Sequence, residues 1–497
     1  MRKQTKIVAL AAVLALGASF TSMAATYDWR LEDDGWYCYN EDGEAYDEEW
    51  VESYGQKYWV DEDGKYVTSS WIEDDNGVYY VGSDGKKTTS DWKFTYAMDE
   101  EDDEEAEEAW FYFDSKGKLV TDKKVSWKDN TYYVDKDGKM ITGWIEYDKA
   151  AEDAVQAADD QTPVAKLIYV NEDGTRAANE WYHGFAYTVS EEEAEDLDED
   201  SYVYYWIDKN GKVSTGKKTD INGETYLFGT DGVMLSGWVV NTADNTYEKA
   251  NNELSTYGAA DVFYCGGKDQ GWVKKDRWIK VVASEDVATS DDDTTKYWFY
   301  LAKNGKVFVP ELASDAVAAT KMTFKNGETA EFVPGSASDA EKKTIDDETY
   351  LFDEDGKMLS GLWTINNEMN YFGGADEGQL KAGSFMIKDS FDDEYEVTFA
   401  KKASKTEPAE YAKYAALNGN VGGILYKNGI VQKSEEKGVY AFVTVNGSEY
   451  LVNYKGKVQT DVKDEYELEN GKTFKFSANA VIVDADNSVT DGAITTR

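Results

Sequence analysis

Histidine occurs once in this chain of 497 residues, cysteine twice and proline four times. The lone His183 leaves a Ser-His-Asp site with a single candidate and no nucleophile-elbow motif around it, and it makes a zinc-protease pair of histidines impossible. Cys38 and Cys265 lie many sequence repeats apart, beyond the roughly 7 Å between Cα atoms that a disulfide spans. Two free or buried thiols, each on a strand, are expected. Positive charge is scarce: 52 basic residues face 98 acidic ones, for a net charge of −46. That field repels nucleic acid and anionic membranes and excludes a nucleic-acid partner. Long hydrophobic runs are missing too. Ile7–Phe20 is short of the roughly 20 apolar residues a membrane span needs. With Arg2, Lys3 and Lys6 before it and Ser22-Met23-Ala24-Ala25 after it, this run reads as a secretory signal peptide cleaved after Ala24 or Ala25. No second apolar stretch or C-terminal sorting motif follows. The expectation is a protein without a membrane span, either secreted or held non-covalently at the cell surface.

Aromatic side chains are abundant, with 16 Trp, 36 Tyr and 19 Phe. They recur in a unit whose clearest copy is Asp129–Trp144, DNTYYVDKDGKMITGW. Tyr132 and Val134 alternate with Thr131 and Tyr133, the period of a two-faced strand. Asp137-Gly138 supplies the positive-φ residues of a tight turn, so Lys139–Thr142 is expected to return as the hairpin's second strand. The unit recurs at Gly35–Trp50, Gln56–Trp71, Gly77–Trp92, Gly223–Trp238 and Glu348–Trp363, and in looser copies as far as about residue 460. Acidic runs at Met98–Ala109 and Ser190–Ser201 interrupt it, as do an Ala/Asp-rich insert of helical character after Trp144 and longer inserts at Pro310–Lys343 and Lys401–Asn418. The four prolines all fall where the rhythm breaks.

An isolated hairpin is marginal in water. Stacking hairpins buries Tyr and Trp rings between them, at roughly 1.5–3 kcal/mol per large side chain removed from water. The expected fold is therefore all-β, a β-hairpin repeat solenoid of about thirteen hairpins with acidic loops pointing outward. The divisions are a signal peptide at 1–25, regular repeats with acidic inserts at 26–240, looser repeats at 241–461, and a last hairpin-like stretch with a polar tail at 462–497.

The pattern G-x-[aromatic/apolar]-Y-[YFW]-x-x-x-D/N-G-K-x-x-T-G-W resembles the cell-wall-binding repeat family of Gram-positive surface proteins, which includes choline-binding modules and glucan-binding repeats. GWYCYNEDG, NTYYVDKDGKMITGW, GETYLFGTDGVMLSGW and ETYLFDEDGKMLSG carry the likeness. The resemblance implies a ligand cage built from the closing Trp of one hairpin, the first ring of the next Trp-Tyr-Tyr and a further Tyr, holding a cation by cation–π attraction. That first-ring position lies seven residues before the turn glycine. It is aromatic at Trp36, Trp110, Tyr204 and Trp298, but Lys57, Val78, Thr131, Leu167, Thr225, Thr349 and Glu449 elsewhere. A Trp precedes a Trp there at three junctions, which makes Trp29, Trp36, Trp92, Trp110, Trp278 and Trp298 the cage candidates. The implied partner is a wall polymer, a choline-like head group or glucan, and the implied role is a non-catalytic surface or adhesion protein.

The repeated DxDG strings invite a calcium reading, but a calcium loop of the EF-hand kind needs ligands at its first and twelfth positions. Around Asp137 those positions are Tyr133 and Trp144, and around Asp355 they are Leu351 and Leu362, so these strings are hairpin turns. Paired carboxylates abound, yet a glycosidase needs a rigid cleft around its pair. No catalytic residue, cofactor or metal site is expected. A second reading makes the repeats a scaffold whose acidic inserts contact another protein.

Overall fold

The computed structural model describes residues 27–459 apart from 99–106, 149–153, 259, 290–294, 311–316, 326–330, 390 and 407–408, together with short pieces between 466 and 490. The expected signal peptide and most of the first acidic run lie outside the described residues.

The all-β expectation holds. Two-stranded antiparallel hairpins follow one another along the chain, with three-, four- and six-stranded sheets among them. They fall into two compact units, one of residues 1–218 and 228–234 and the other of residues 219–227 and 235–497.

The pairing within the repeat differs from the expected one. Asn130–Val134 pairs upstream with Lys123–Trp127, through Thr131↔Ser126 and Tyr133↔Lys124. Their two-residue connection is Lys128-Asp129, with φ of 46° and 67°. Positive φ at both central residues defines the primed turn whose twist matches that of the strands it joins. No glycine marks this turn, so it is invisible to a search for Asp-Gly. The Asp137-Gly138 turn makes the expected return only briefly, with Met140 bridged to Val134 and the Ile141 N–H donating to the Tyr133 carbonyl, before the segment passes to the preceding hairpin. Asp135 organises that reversal: its Oδ1 accepts from the backbone N–H of Asp137 at 3.0 Å and of Lys139 at 2.8 Å. Asp61, Asp114, Asp208 and Asp353 cap their turns the same way, which assigns the first Asp of the DxDG strings a backbone role.

The returning segment joins each hairpin to its predecessor. The N–H of Tyr66, Lys87, Leu119 and Met140 each donates, at 2.8 Å, to the carbonyl of Trp36, Lys57, Val78 and Trp110. These acceptors stand at the position seven residues before the turn glycine. Each repeat thereby satisfies backbone groups of its neighbour and stacks rings onto it. Tyr133, Phe111, Phe113, Tyr205, Phe228, Phe299 and Phe352 are among the largest fully buried side chains.

Two inserts depart from expectation. After Trp144 the chain adds a strand, Ala154–Ala157, to the edge of Gly143–Asp148. Among the described residues of this insert, helical character is confined to the short turn Val164–Lys166. Val155 packs beside Ile145 and Tyr147, and that burial overrides alanine's helix preference. The Pro310–Lys343 insert supplies the strands Val317–Phe324 and Phe332–Ile345 of the six-stranded sheet. Pro334 stands there beside a register shift, where the missing N–H is tolerated. The second acidic run is a surface excursion containing the one-turn helix Glu191–Ala194, capped reciprocally by Ser190 and Glu193. Both cysteines are free and buried, and burial pushes the Cys38 thiol up to about 12.

Candidate ligand site

Trp278 and Trp298 belong to one hairpin, Arg277–Val282 with Lys296–Leu301. Its register sets Trp278 opposite Tyr300 and Lys280 opposite Trp298, so all four side chains share one face. A later strand, Glu348–Asp353, brings Tyr350 onto that face, and its return segment brings Met358. The loop before Leu380 adds Asp376, Glu377 and Gln379. Together these residues, with the two tryptophans, line a cavity of about 180 Å³.

The two tryptophans play different parts in it. Trp278 is wedged between hairpins, with ring centroids 4.6 Å from Tyr350 and 5.4 Å from Tyr300, and it stacks on Phe352 at 5.7 Å. Trp298 is half-buried at the rim, and its indole N–H donates to Asp376 Oδ1 at 2.9 Å. Lys280 Nζ reaches the same oxygen at 2.5 Å and lies 5.8 Å from the Trp298 ring centroid. These two donors, Lys280 first, hold the Asp376 carboxyl below the usual carboxylate range. Gln379 also lines the cavity, while its Oε1 is enclosed away from solvent with no hydrogen-bond partner.

The other sequence candidates are arranged less openly. Trp92 and Trp110 do share a hairpin face, since Trp92 pairs with Tyr112 and Phe94 with Trp110. Trp92 is buried against Tyr112 and Tyr132 at 5.1 and 5.3 Å, while Trp110 is 43% exposed and leans on Phe94. Trp29 meets Tyr58 and Tyr66 edge-on at 6.0 and 5.9 Å. Trp36 is half-buried with its indole N–H enclosed and unpaired. Trp144 is surrounded by Tyr169, Tyr182 and Tyr205 at 4.8–5.0 Å, so rings fill the space beside it.

One cage escaped the sequence reading because Lys57 stands at its first-ring position. Trp50 and Tyr79, 5.4 Å apart, flank the ammonium of Lys87, which lies 4.1 and 3.5 Å from their centroids. The Trp50 indole donates to Asp74 Oδ2 at 3.0 Å. Burial, with Lys57 nearby, pulls the Lys87 ammonium down to about 8. Lys87 occupies the return-segment position that Met140 fills in a later repeat.

His183, the single histidine, is exposed and stacks flat on Tyr204 at 4.0 Å. Among the described residues no group of three or more His, Cys, Asp or Glu is placed to hold a metal ion. No helix of the described residues is long and apolar enough to cross a membrane.

Three segments of the chain match the model of the putative cell wall binding repeat, at residues 69–87, 125–140 and 343–358. The last runs through Tyr350 to Met358. A glucosyltransferase-I of Streptococcus downei is 23% identical over 338 residues, which is 56% of this chain and 19% of that protein. The chain thus spans under a fifth of this relative's length. Among solved structures, the modular autolysin LytC from Streptococcus pneumoniae aligns over 72% of this chain and 55% of its own, at 15% identity and a TM-score of 0.30. Choline binding protein F from the same organism aligns over 88% of this chain and all of its own, at 16% identity and a TM-score of 0.18.

Proposed function

We propose, on the premise that this chain carries cell wall binding repeats, that it is a secreted, non-catalytic protein that attaches non-covalently to the bacterial envelope and acts as a surface or adhesion protein. The observation that carries this reading is the Trp278–Trp298 cavity. It joins the two indoles of one hairpin to Tyr350 and Met358 of a later strand and its return, around an open space edged by carboxylates. Aromatic walls attract a cationic head group by up to about 2 kcal/mol per desolvated ring, and they also stack on sugar faces. Trp92 and Trp110 repeat the register in the other unit and are the second candidate pair.

A second role for the inserts follows from the acidic excursion at Ser190–Ser201. Its capping box holds carboxylates on a formed, exposed turn that a cationic protein surface could meet.

The test is retention on purified cell walls, followed by washes with choline, with salt at equal ionic strength and with soluble glucan. Release by choline or glucan but not by salt supports the attachment. Failure of the full chain to sediment with walls at low salt would remove its basis.

A further inference from the structure

We infer that the Trp50–Tyr79 junction is a ligand site held shut by the chain's own Lys87, an autoinhibitory contact; this rests on the ligand-site reading above. The junction repeats the plan of the open cavity position for position. There, Trp278 pairs across its hairpin with Tyr300, a later strand adds Tyr350, and its return adds Met358. Here, Trp50 pairs across its hairpin with Trp59, the next strand adds Tyr79, and its return adds Lys87. The two partner rings lie 5.4 and 4.6 Å from Trp278, and 5.2 and 5.4 Å from Trp50. Met358 bridges back to Phe352 as Lys87 does to Val81 and Met140 to Val134. A lysine thus stands where methionine lines the open cavity.

The Lys87 ammonium fills the place a bound cation would take, 3.5 and 4.1 Å from the Tyr79 and Trp50 ring centroids. Asp74 fixes the cage around it. One carboxylate oxygen accepts the Trp50 indole N–H at 3.0 Å, and the other accepts the Asn76 and Gly77 amides at 2.7 and 3.1 Å. Asp74 and Asp114 favour a positive charge at this spot, and Lys57 opposes it. A tethered ammonium acts at an effective concentration on the order of millimolar or above, so a free cation of similar affinity is outcompeted. Trp50 and Lys87 keep partial exposure, so removing the lysine side chain opens the space to solvent. The plug leaves the chain one working site fewer than its rings provide, which lowers its avidity for a polymer with repeating cationic groups.

The experiment is fluorine NMR of the full chain labelled with fluorotryptophan, titrated with choline against sodium chloride at constant ionic strength. Trp50→Phe and Trp278→Phe assign the two resonances that matter. In wild type the Trp278 resonance is expected to move with choline while the Trp50 resonance stays still. In Lys87→Ala the Trp50 resonance should titrate, with an apparent affinity at least about 10-fold above that of wild type at the same ring. Lys87→Met keeps the packing of the stem and carries the residue of the open cavity, so it should open the site as well. Lys87→Arg keeps a cation between the rings and should leave the site shut. Spectra without choline check that each variant is folded. A Trp50 resonance that moves equally in wild type and in Lys87→Ala overturns the inference. So does one that stays still in both Lys87→Ala and Lys87→Met while Trp278 responds, and either result leaves the Trp278–Trp298 reading standing. A Trp50 response in these two variants with Trp278 silent supports the plug and overturns the reading of the larger cavity. No response at any tryptophan overturns both.

Discussion

Trp278 and Trp298 stand on facing strands of one hairpin and line one cavity, although the Ala283–Thr295 insertion separates their strands in the sequence. The insertion is the hairpin's loop, so chain length between the partners does not separate them in space. The same holds for Trp92 and Trp110 across the first acidic run. Cross-strand register decides which rings can share a ligand.

That distinction predicts two classes of tryptophan. Trp298→Ala removes a rim ring whose indole faces Asp376, and should weaken retention on cell walls with little loss of stability. Trp144→Ala vacates a space closed by Tyr169, Tyr182 and Tyr205, and should cost roughly 3 kcal/mol. The folded Trp144 variant should still be retained. Denaturant unfolding and wall sedimentation on the same preparations check this. Equal effects on both measurements would mean that all these rings are core. The double variant Trp278→Ala with Trp298→Ala should lose the most retention, because it removes both indole walls.

The Lys87 cage makes a prediction of its own. Lys87→Ala leaves Trp50 and Tyr79 facing an empty space that a small cation can enter. Thermal unfolding should fall by a few degrees, in line with the loss of a partly desolvated cation–π contact of about 1 kcal/mol. Methylammonium should restore part of the loss where sodium at equal ionic strength does not. Rescue by both salts alike would assign the effect to general screening.

How much of this was legible in the sequence depends on the length scale of the signal. The hairpin unit, its aromatic strand and its turn asparagines and aspartates recur often enough to be read directly. The main pairing partner was missed because Lys128-Asp129 turns without glycine, while the return that Asp137-Gly138 advertises is there but shrinks to one bridge, Met140 to Val134. Trp278 and Trp298 were legible as residue types at a fixed offset from the turn. Asp376 and Gln379 were not, because they reach Trp298 from a loop about eighty positions away, through stacking that no local pattern encodes. Lys87 was hidden for a related reason: its ring partners come from a closing tryptophan and from the next strand.

The Asp137-Gly138 turn still carries weight in the stack. Gly138 has a φ of 80°, and a Cβ there would lie 3.0 Å from Leu119 of the preceding repeat. Gly138→Ala should therefore destabilise by about 1–2 kcal/mol, from left-handed strain plus the displaced leucine. Gly143 has the same φ, but no neighbour lies within 4 Å of its Cβ position, so Gly143→Ala should show the strain alone. Comparing the two in urea separates turn geometry from inter-hairpin packing. A larger loss for Gly143→Ala would contradict the role of the turn in docking one repeat on the next.

The turn at Asp353 adds a pH dependence whose sign the structure sets. Burial raises this carboxyl to about 6, against backbone N–H donors and the Lys357 ammonium, which act to lower it, and with Asp355 adding to the rise. Between the ordinary value of 3.8 and about 6, the folded state then binds a proton that the unfolded chain has released. The stabilising contribution is present in full below the lower value and is lost as pH rises through the upper one. Asp353→Asn keeps the acceptor that takes the Asp355 and Lys357 N–H groups, as Asn453 does at its own turn. The substitution should therefore fold, flatten the stability profile between about pH 4 and 6, and raise stability above that window by removing a buried charge. Urea midpoints at stepped pH values read this directly. A wild-type profile in which Asp353 adds stability as pH rises from 4 to 6 would show that Lys357 and the turn amides outweigh burial.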